Sequence, residues 1–259
     1  MKKIILSILF TLSLLPASNA QIKGVDYQLY NLILKKYVKL GEIRYKELSA
    51  DSRISEIVEQ FQKINPDEIK SSNDKMAFWI NTYNSIVLKI IGDNYPVKSI
   101  NDLNTGIVIL SPVLGKLVWD KKVITINNNN LSLTQIEHII TSSGFKDPRA
   151  LFAIVCASIG SPPLRDEAYT GEKLNEQLNE QARIFINDTT KNVFNLKNRS
   201  ASISAIFESY NKEFALNKKN ILIFLSNFLP KKIREDISAN SDQWNLSYKD
   251  FDWSLNKID

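Results

Sequence analysis

The sequence predicts an α+β fold in which helices come first and a small, mostly antiparallel sheet follows. Three observations carry this reading. The first third holds apolar residues at helical spacing, the middle holds short apolar runs set off by turn residues, and Leu151 to Cys156 is a continuous apolar run of strand length. With 44% apolar and 24% charged residues over 259 positions, the chain is able to bury a core. That composition excludes disordered, collagenous and disulfide-stapled classes.

Taken in order, Val25, Leu29, Leu32, Ile33 and Val38 mark a first helix that Gly41 stops. Ile54, Ile57, Val58 and Phe61 mark a second, ending near Asn65-Pro66, and a third runs from about Asp74 to Ile91. Ile107 to Leu110 is a short apolar run closed by Ser111-Pro112. Lys116 to Trp119 and Lys122 to Ile126 flank Asp120-Lys121 as an expected hairpin. Ser132 followed by Gln135 is a capping-box pattern that opens a helix carrying His138. Leu151 to Cys156 then reads as a buried strand, and 157–168 as a loop with Gly160, Pro162 and Pro163. A helix is expected from about Glu172 to Asn187, with Leu174, Leu178, Ala182 and Phe185 on one face. Beyond it come a strand near Val193, helices around Phe207 and from Ile221 to Phe228, and an extended end through Trp253 and Leu255.

The start of the chain reads as an address. Lys2 and Lys3 precede an apolar stretch from Ile4 to Leu15, and Ser18 and Ala20 form a small-x-small cleavage site before Gln21. The apolar run is short for a membrane span. The expectation is a signal peptide over 1–20, a single α+β domain over 21–259, export to a periplasmic or secreted setting, and no stable membrane insertion after cleavage. The 33 basic and 28 acidic residues are spread along the chain. Lys231, Lys232 and Arg234 are the tightest basic group and read as a solvated helix face. No basic stripe with interleaved aromatics points to nucleic acid.

Candidates for chemistry are few, because the chain has one histidine and one cysteine. Zinc of the Cys/His type is excluded by ligand count, and no carboxylate spacing suggests calcium. No dinucleotide fingerprint, P-loop or G-x-S-x-G elbow is present, so no metal or cofactor is expected. On the third helix Asp74, Ala77, Asn81, Asn84 and Ser85 share one stripe of an otherwise apolar surface. Such amides either tie loop backbone to the core or line a cleft. His138 points away from the apolar arc of Leu133, Ile136, Ile139 and Ile140. Cys156 ends an apolar run just before a loop that brings Ser158, Ser161, Arg165 and Tyr169 close in sequence. Arg165 suits a carboxylate or phosphate.

The segments FWINTYNS, NYPVKSI, LSLTQIEHII, DPRALFAIVCASIGSPPLRDEAY and FDWSLN together resemble the domain-of-unknown-function family 547, from about Val25 to Asn256. The resemblance supplies no reaction. It implies that Asn81, Asn84, Glu137, His138, Arg149, Cys156, Ser158, Pro162, Pro163, Arg165, Trp253 and Asn256 belong together. It also marks two departures: Leu151 stands where members often carry a histidine, and Ser161 where they often carry a second cysteine. The latter argues against disulfide cycling.

Two functions are expected from these residues. In the first, a thiol hydrolase or acyltransferase acts on peptide, isopeptide or acyl bonds of the cell envelope. Cys156 is its nucleophile, His138 its base, Asn81 or Asn84 orients the imidazole, and backbone N–H groups after Cys156 form the oxyanion hole. Arg165, Ser158, Ser161 and Tyr169 then bind substrate. Histidine before cysteine requires a permuted papain-like arrangement. This reading places Cys156 Sγ and the His138 ring on one cleft wall about 4–5 Å apart, with Arg165 reaching the same cleft. In the second, a non-catalytic module binds an envelope peptide or small anion, and Cys156 is packed core. The address itself is testable by N-terminal sequencing of the protein from its native envelope fraction. Gln21 is the expected first residue, and retained Met1 contradicts it.

Overall fold

A computed structural model of the chain describes residues 25–104, 117–142, 145–210 and 218–258. The expected signal segment and the apolar run from Ile107 to Leu110 lie outside these residues.

The first helix, α1 (Gln28–Tyr37), buries Tyr30, Ile33, Leu34 and Tyr37 at helical spacing. It runs into a two-residue hairpin, β1 (Val38–Lys39) and β2 (Glu42–Ile43). The turn places Leu40 at φ 53° and Gly41 at φ 85°, and Gly41 packs so closely on Pro163 that a side chain there has no room. A helical turn, α2 (Tyr45–Leu48), leads to α3 (Arg53–Gln62), which buries Ile54, Ile57, Val58 and Phe61. The helix α4 (Ser72–Asn94) follows, N-capped by Ser71, whose Oγ accepts from the Asp74 amide at 3.3 Å. Its residues from Met76 to Leu88 are all buried, so α4 is the central rod of the fold.

The second hairpin differs from the expected one. Its strands are β3 (Lys122–Ile126) and β4 (Asn129–Ser132), paired antiparallel. Its turn is Asn127-Asn128, at φ 47° and 61°. Asparagine tolerates this left-handed conformation, which two-residue hairpin turns require. Leu117 to Trp119 form a turn, not a strand. The capping box is as expected: the Ser132 amide donates to Gln135 Oε1 at 3.1 Å and the Gln135 amide to Ser132 Oγ at 3.3 Å, opening α5 (Leu133–Ser142).

The run from Leu151 to Cys156 is not a strand either. Pro148–Phe152 form a 3-10 turn capped by Asp147, and irregular backbone continues to Cys156. Phe152 anchors it in an aromatic cluster with Phe185, Phe207 and Phe224. After the loop, α6 (Leu174–Ile186) buries Leu174, Leu178, Ala182 and Phe185. β5 (Val193–Asn195), β6 (Ser200–Ser204), a helical turn α7 (Ile206–Ser209), α8 (Lys218–Ser226), α9 (Lys231–Asn240) and β7 (Asn245–Lys249) complete the order. Lys231, Lys232 and Arg234 are exposed on α9. The last sheet has order β5-β6-β7, antiparallel then parallel. The fold is thus α+β, but among the described residues the strands form three separate small sheets and give a permuted papain-like arrangement no support.

What positions the later site is a pair of side chains on α4. Asn84 Nδ2 donates to the Ala153 carbonyl at 2.8 Å, and its Oδ1 accepts from the Val155 amide at 3.0 Å. Asn81 Nδ2 donates to the Tyr169 carbonyl at 2.8 Å, and its Oδ1 accepts from the Tyr169 amide at 2.9 Å. Both side chains are buried. Each amide presents a donor and an acceptor side by side, and so replaces a missing strand neighbour for irregular backbone. Asn81→Leu and Asn84→Leu each leave a buried N–H and a buried C=O unpaired. Urea unfolding is expected to show each variant destabilised by about 1–3 kcal/mol per stranded group, and a loss within experimental error contradicts the clamp.

Candidate functional site

The chain between the two clamps, 156–168, is a loop folded back on itself. The Cys156 amide donates to Ser161 Oγ at 3.3 Å, and Ser161 Oγ donates to the Pro162 carbonyl at 3.0 Å. The Ser161 amide bonds the Ser158 carbonyl at 3.1 Å. Ala157, fully buried, sits at φ 56°, a left-handed conformation that costs a non-glycine residue about 1–2 kcal/mol. The C-terminal segment straps the loop from outside. The Ile159 amide donates to the Ser254 carbonyl at 2.8 Å, the Gly160 amide to that of Asp252 at 2.8 Å, and the Asn256 amide to that of Ala157 at 3.4 Å. A Cβ on Gly160 would meet the Asp252 nitrogen at 2.9 Å, so the strap lies directly on glycine backbone. Asn256 extends the strap to the first hairpin. Its Nδ2 donates to the Gly41 carbonyl, and its Oδ1 accepts from the Tyr45 hydroxyl, both at 3.1 Å.

Beside this loop is a cavity of about 590 Å³, within the range of small-molecule sites. Cys156, Ser161, Leu151 and Ile154 form its floor. Tyr83 of α4, Glu137 of α5, Ile206, Tyr210, Trp119, Phe251 and Trp253 also line it. Phe251 and Trp253 rings lie 4.5 Å apart, and Trp119 and Trp253 6.3 Å apart. Trp253 is 41% exposed and stands at the rim.

The sequence-predicted residues divide around this cavity. Cys156 and Ser161 line it. Ser158 is buried beneath, with its Oγ 3.0 Å from Cys156 Sγ. His138 does not line the cavity and is exposed, whereas its neighbour Glu137 does line it. The helix explains the exchange: Glu137 lies about 40° from buried Leu133 around α5, and His138 about 140°. Asn81 and Asn84 do not line the cavity, and their amides grip backbone rather than an imidazole.

Arg165 also turns elsewhere. It pairs with Glu167 at 2.6 Å and with Glu180 of α6 at 2.9 Å, beneath the Tyr169 ring. Burial opposes its charge, but Glu167, Tyr169 and Glu180 outweigh it and hold its pKa above the ordinary value. Tyr169 is buried against the second clamp and does not reach the cavity. Arg149, named by the resemblance, is bound to Asp147, Asn175 and Asn179, and ties the 3-10 turn to α6.

Part of Cys156 is exposed through the cavity, yet the sulfur sits among packed atoms. Burial pushes its thiol up. Hydrogen bonds from Ser158 and Ser161 oppose the shift, and the negative charge of Glu137 adds to it. The native state therefore favours the neutral thiol. This preference stabilises the fold below the thiol's unfolded pKa and is lost as pH rises through the folded one. Of the amides after Cys156, those of Ile159, Gly160 and Ser161 are bonded to carbonyls within the protein. Among the described residues no group of three or more His, Cys, Asp or Glu side chains is placed to hold a metal. No described helix is long and apolar enough to cross a membrane.

Residues 66–186 match the family model of DUF547, a protein family of unknown function. The match to DUF547 spans both asparagine clamps, Glu137, the Cys156 loop and α6. It stops before the strap with Trp253 and Asn256. Neither the curated proteins nor the solved structures offer a significant match to the chain.

Of the aromatic wall, the resemblance names Trp253, and nothing in the sequence points to Trp119 or Phe251. Trp119 and Trp253 are far apart in the chain, and no local pattern joins them. Glu137 was within reach, because its spacing of four from Leu133 and three from Ile140 puts it at the edge of the buried arc.

Proposed function

We propose that the protein is a non-catalytic binding module that takes a small organic molecule into the Cys156 cavity. The observation that carries this is that His138 does not line the cavity that Cys156 lines. The single histidine of the chain is exposed on the outer side of α5, and Leu151 occupies the cavity floor where the resembled family often has histidine. A nucleophilic cysteine needs a depressed pKa and a partner to take its proton, whereas burial pushes the Cys156 thiol up despite its hydrogen bonds with Ser158 and Ser161. The walls are instead what binding favours: aromatic and aliphatic surface with a few polar groups. A small anion, one of the expected ligands, fits poorly, since Arg165 is already paired with two carboxylates away from the cavity. The dibasic start and the Ser18-x-Ala20 site support an exported setting for this activity.

The neutral fluorophore N-phenyl-1-naphthylamine tests the reading. Saturable binding at one site per chain is expected. Ala205→Trp, which fills the cavity, removes it, and Cys156→Ala preserves it. In parallel, iodoacetamide at pH 6 is expected to alkylate Cys156 no faster than free cysteine, with no change on His138→Ala. Fast alkylation that depends on His138 contradicts the proposal and restores the thiol enzyme.

A further inference from the structure

The cavity walls also carry a charge pattern unlike the rest of the molecule. The whole chain has an excess of basic residues, net +5. Among the described residues that line the cavity there is no lysine, arginine or histidine, but there are two carboxylates, Asp120 and Glu137. Asp120 is exposed at the mouth, where its Oδ1 accepts from the Thr134 hydroxyl at 2.8 Å. Glu137 is half-buried and close enough to Tyr83 and Cys156 for its charge to raise the pKa of both.

The same cavity is lined by aromatic rings. Trp119, adjacent to Asp120, and Trp253 are tilted at 51° to one another, and Phe251 is tilted at 54° to Trp253, so the rings form a corner rather than a flat stack. Ring faces attract cations and repel anions, most strongly for tryptophan. The exposed Asp120 and the half-buried Glu137 reinforce the same preference, because a low-dielectric concave wall focuses their field.

We infer that the cavity selects an organic cation with an apolar or aromatic body, the body against Leu151, Ile154 and Ile206 and the charged end between Glu137 and the Trp119–Trp253 corner. This rests on the binding reading above and names its ligand class. An inorganic cation does not match, because most of the wall is apolar and would leave its hydration unreplaced.

The planar series benzamidine, benzamide and benzoate holds shape nearly constant while charge goes from positive to neutral to negative. Isothermal titration of the mature chain is expected to rank them in that order, with benzamidine about tenfold tighter than benzamide. Glu137→Gln is expected to remove that gap while leaving benzamide binding in place, and Asp120→Asn to reduce it, with less risk to the fold because Asp120 is exposed. Equal affinities for benzamidine and benzamide overturn the charge inference and leave the cavity reading standing. The same holds if the neutral naphthylamine binds and benzamidine does not. Failure of all three ligands together with the naphthylamine overturns both.

Discussion

Two asparagine side chains, one turn apart on α4, hold the loop on which the site depends. An irregular segment buried in a protein must find partners for its backbone N–H and C=O groups, and desolvating them unpaired is costly. Asn84 meets that need at Ala153 and Val155, and Asn81 meets it at Tyr169. Because both anchors belong to one buried helix, the two ends of the loop are fixed relative to each other. The excursion between them has room for a serine-lined turn with Ala157 in a left-handed conformation. The same anchoring faces Cys156 toward the cavity and directs Arg165 back onto Glu167 and Glu180.

The helical part of the fold was legible because its signals are local. Ile54, Ile57, Val58 and Phe61, or Leu174, Leu178, Ala182 and Phe185, define a buried stripe from spacing alone. The strands were harder. Flanking apolar residues point to a hairpin around Asp120-Lys121, whereas the turn is made by Asn127-Asn128. Leu151 to Cys156 is apolar and buried as a strand would be, but its backbone is satisfied by side-chain amides, a substitution that hydrophobic pattern does not encode. The asparagine stripe on α4 was legible as a feature. Of its two possible roles, loop tie and cleft lining, the geometry gives the loop tie.

The site was half legible. Cys156 and Ser161 line the cavity, and the aromatic rings that define it come from remote parts of the chain through tertiary contacts alone. The pairing of Cys156 with His138 followed from their both being single in the sequence, but a helix separates neighbouring residues by about 100°, and Glu137 occupies the inward direction. Burial pushes the Cys156 thiol up, and the Glu137 carboxylate adds to that push. The proposed cation preference rests on this placement of Glu137.

Native-state hydrogen exchange at the Val155 and Tyr169 amides tests the central claim most directly, because these two N–H groups are held by the asparagine side chains and not by strand or helix. A loop clamped to the core predicts that both exchange only through global unfolding, as slowly as amides in the middle of α4. Exchange as fast as that of exposed loop amides would mean that the clamps open in the folded protein, and that the cavity floor carrying Cys156 is not a fixed surface.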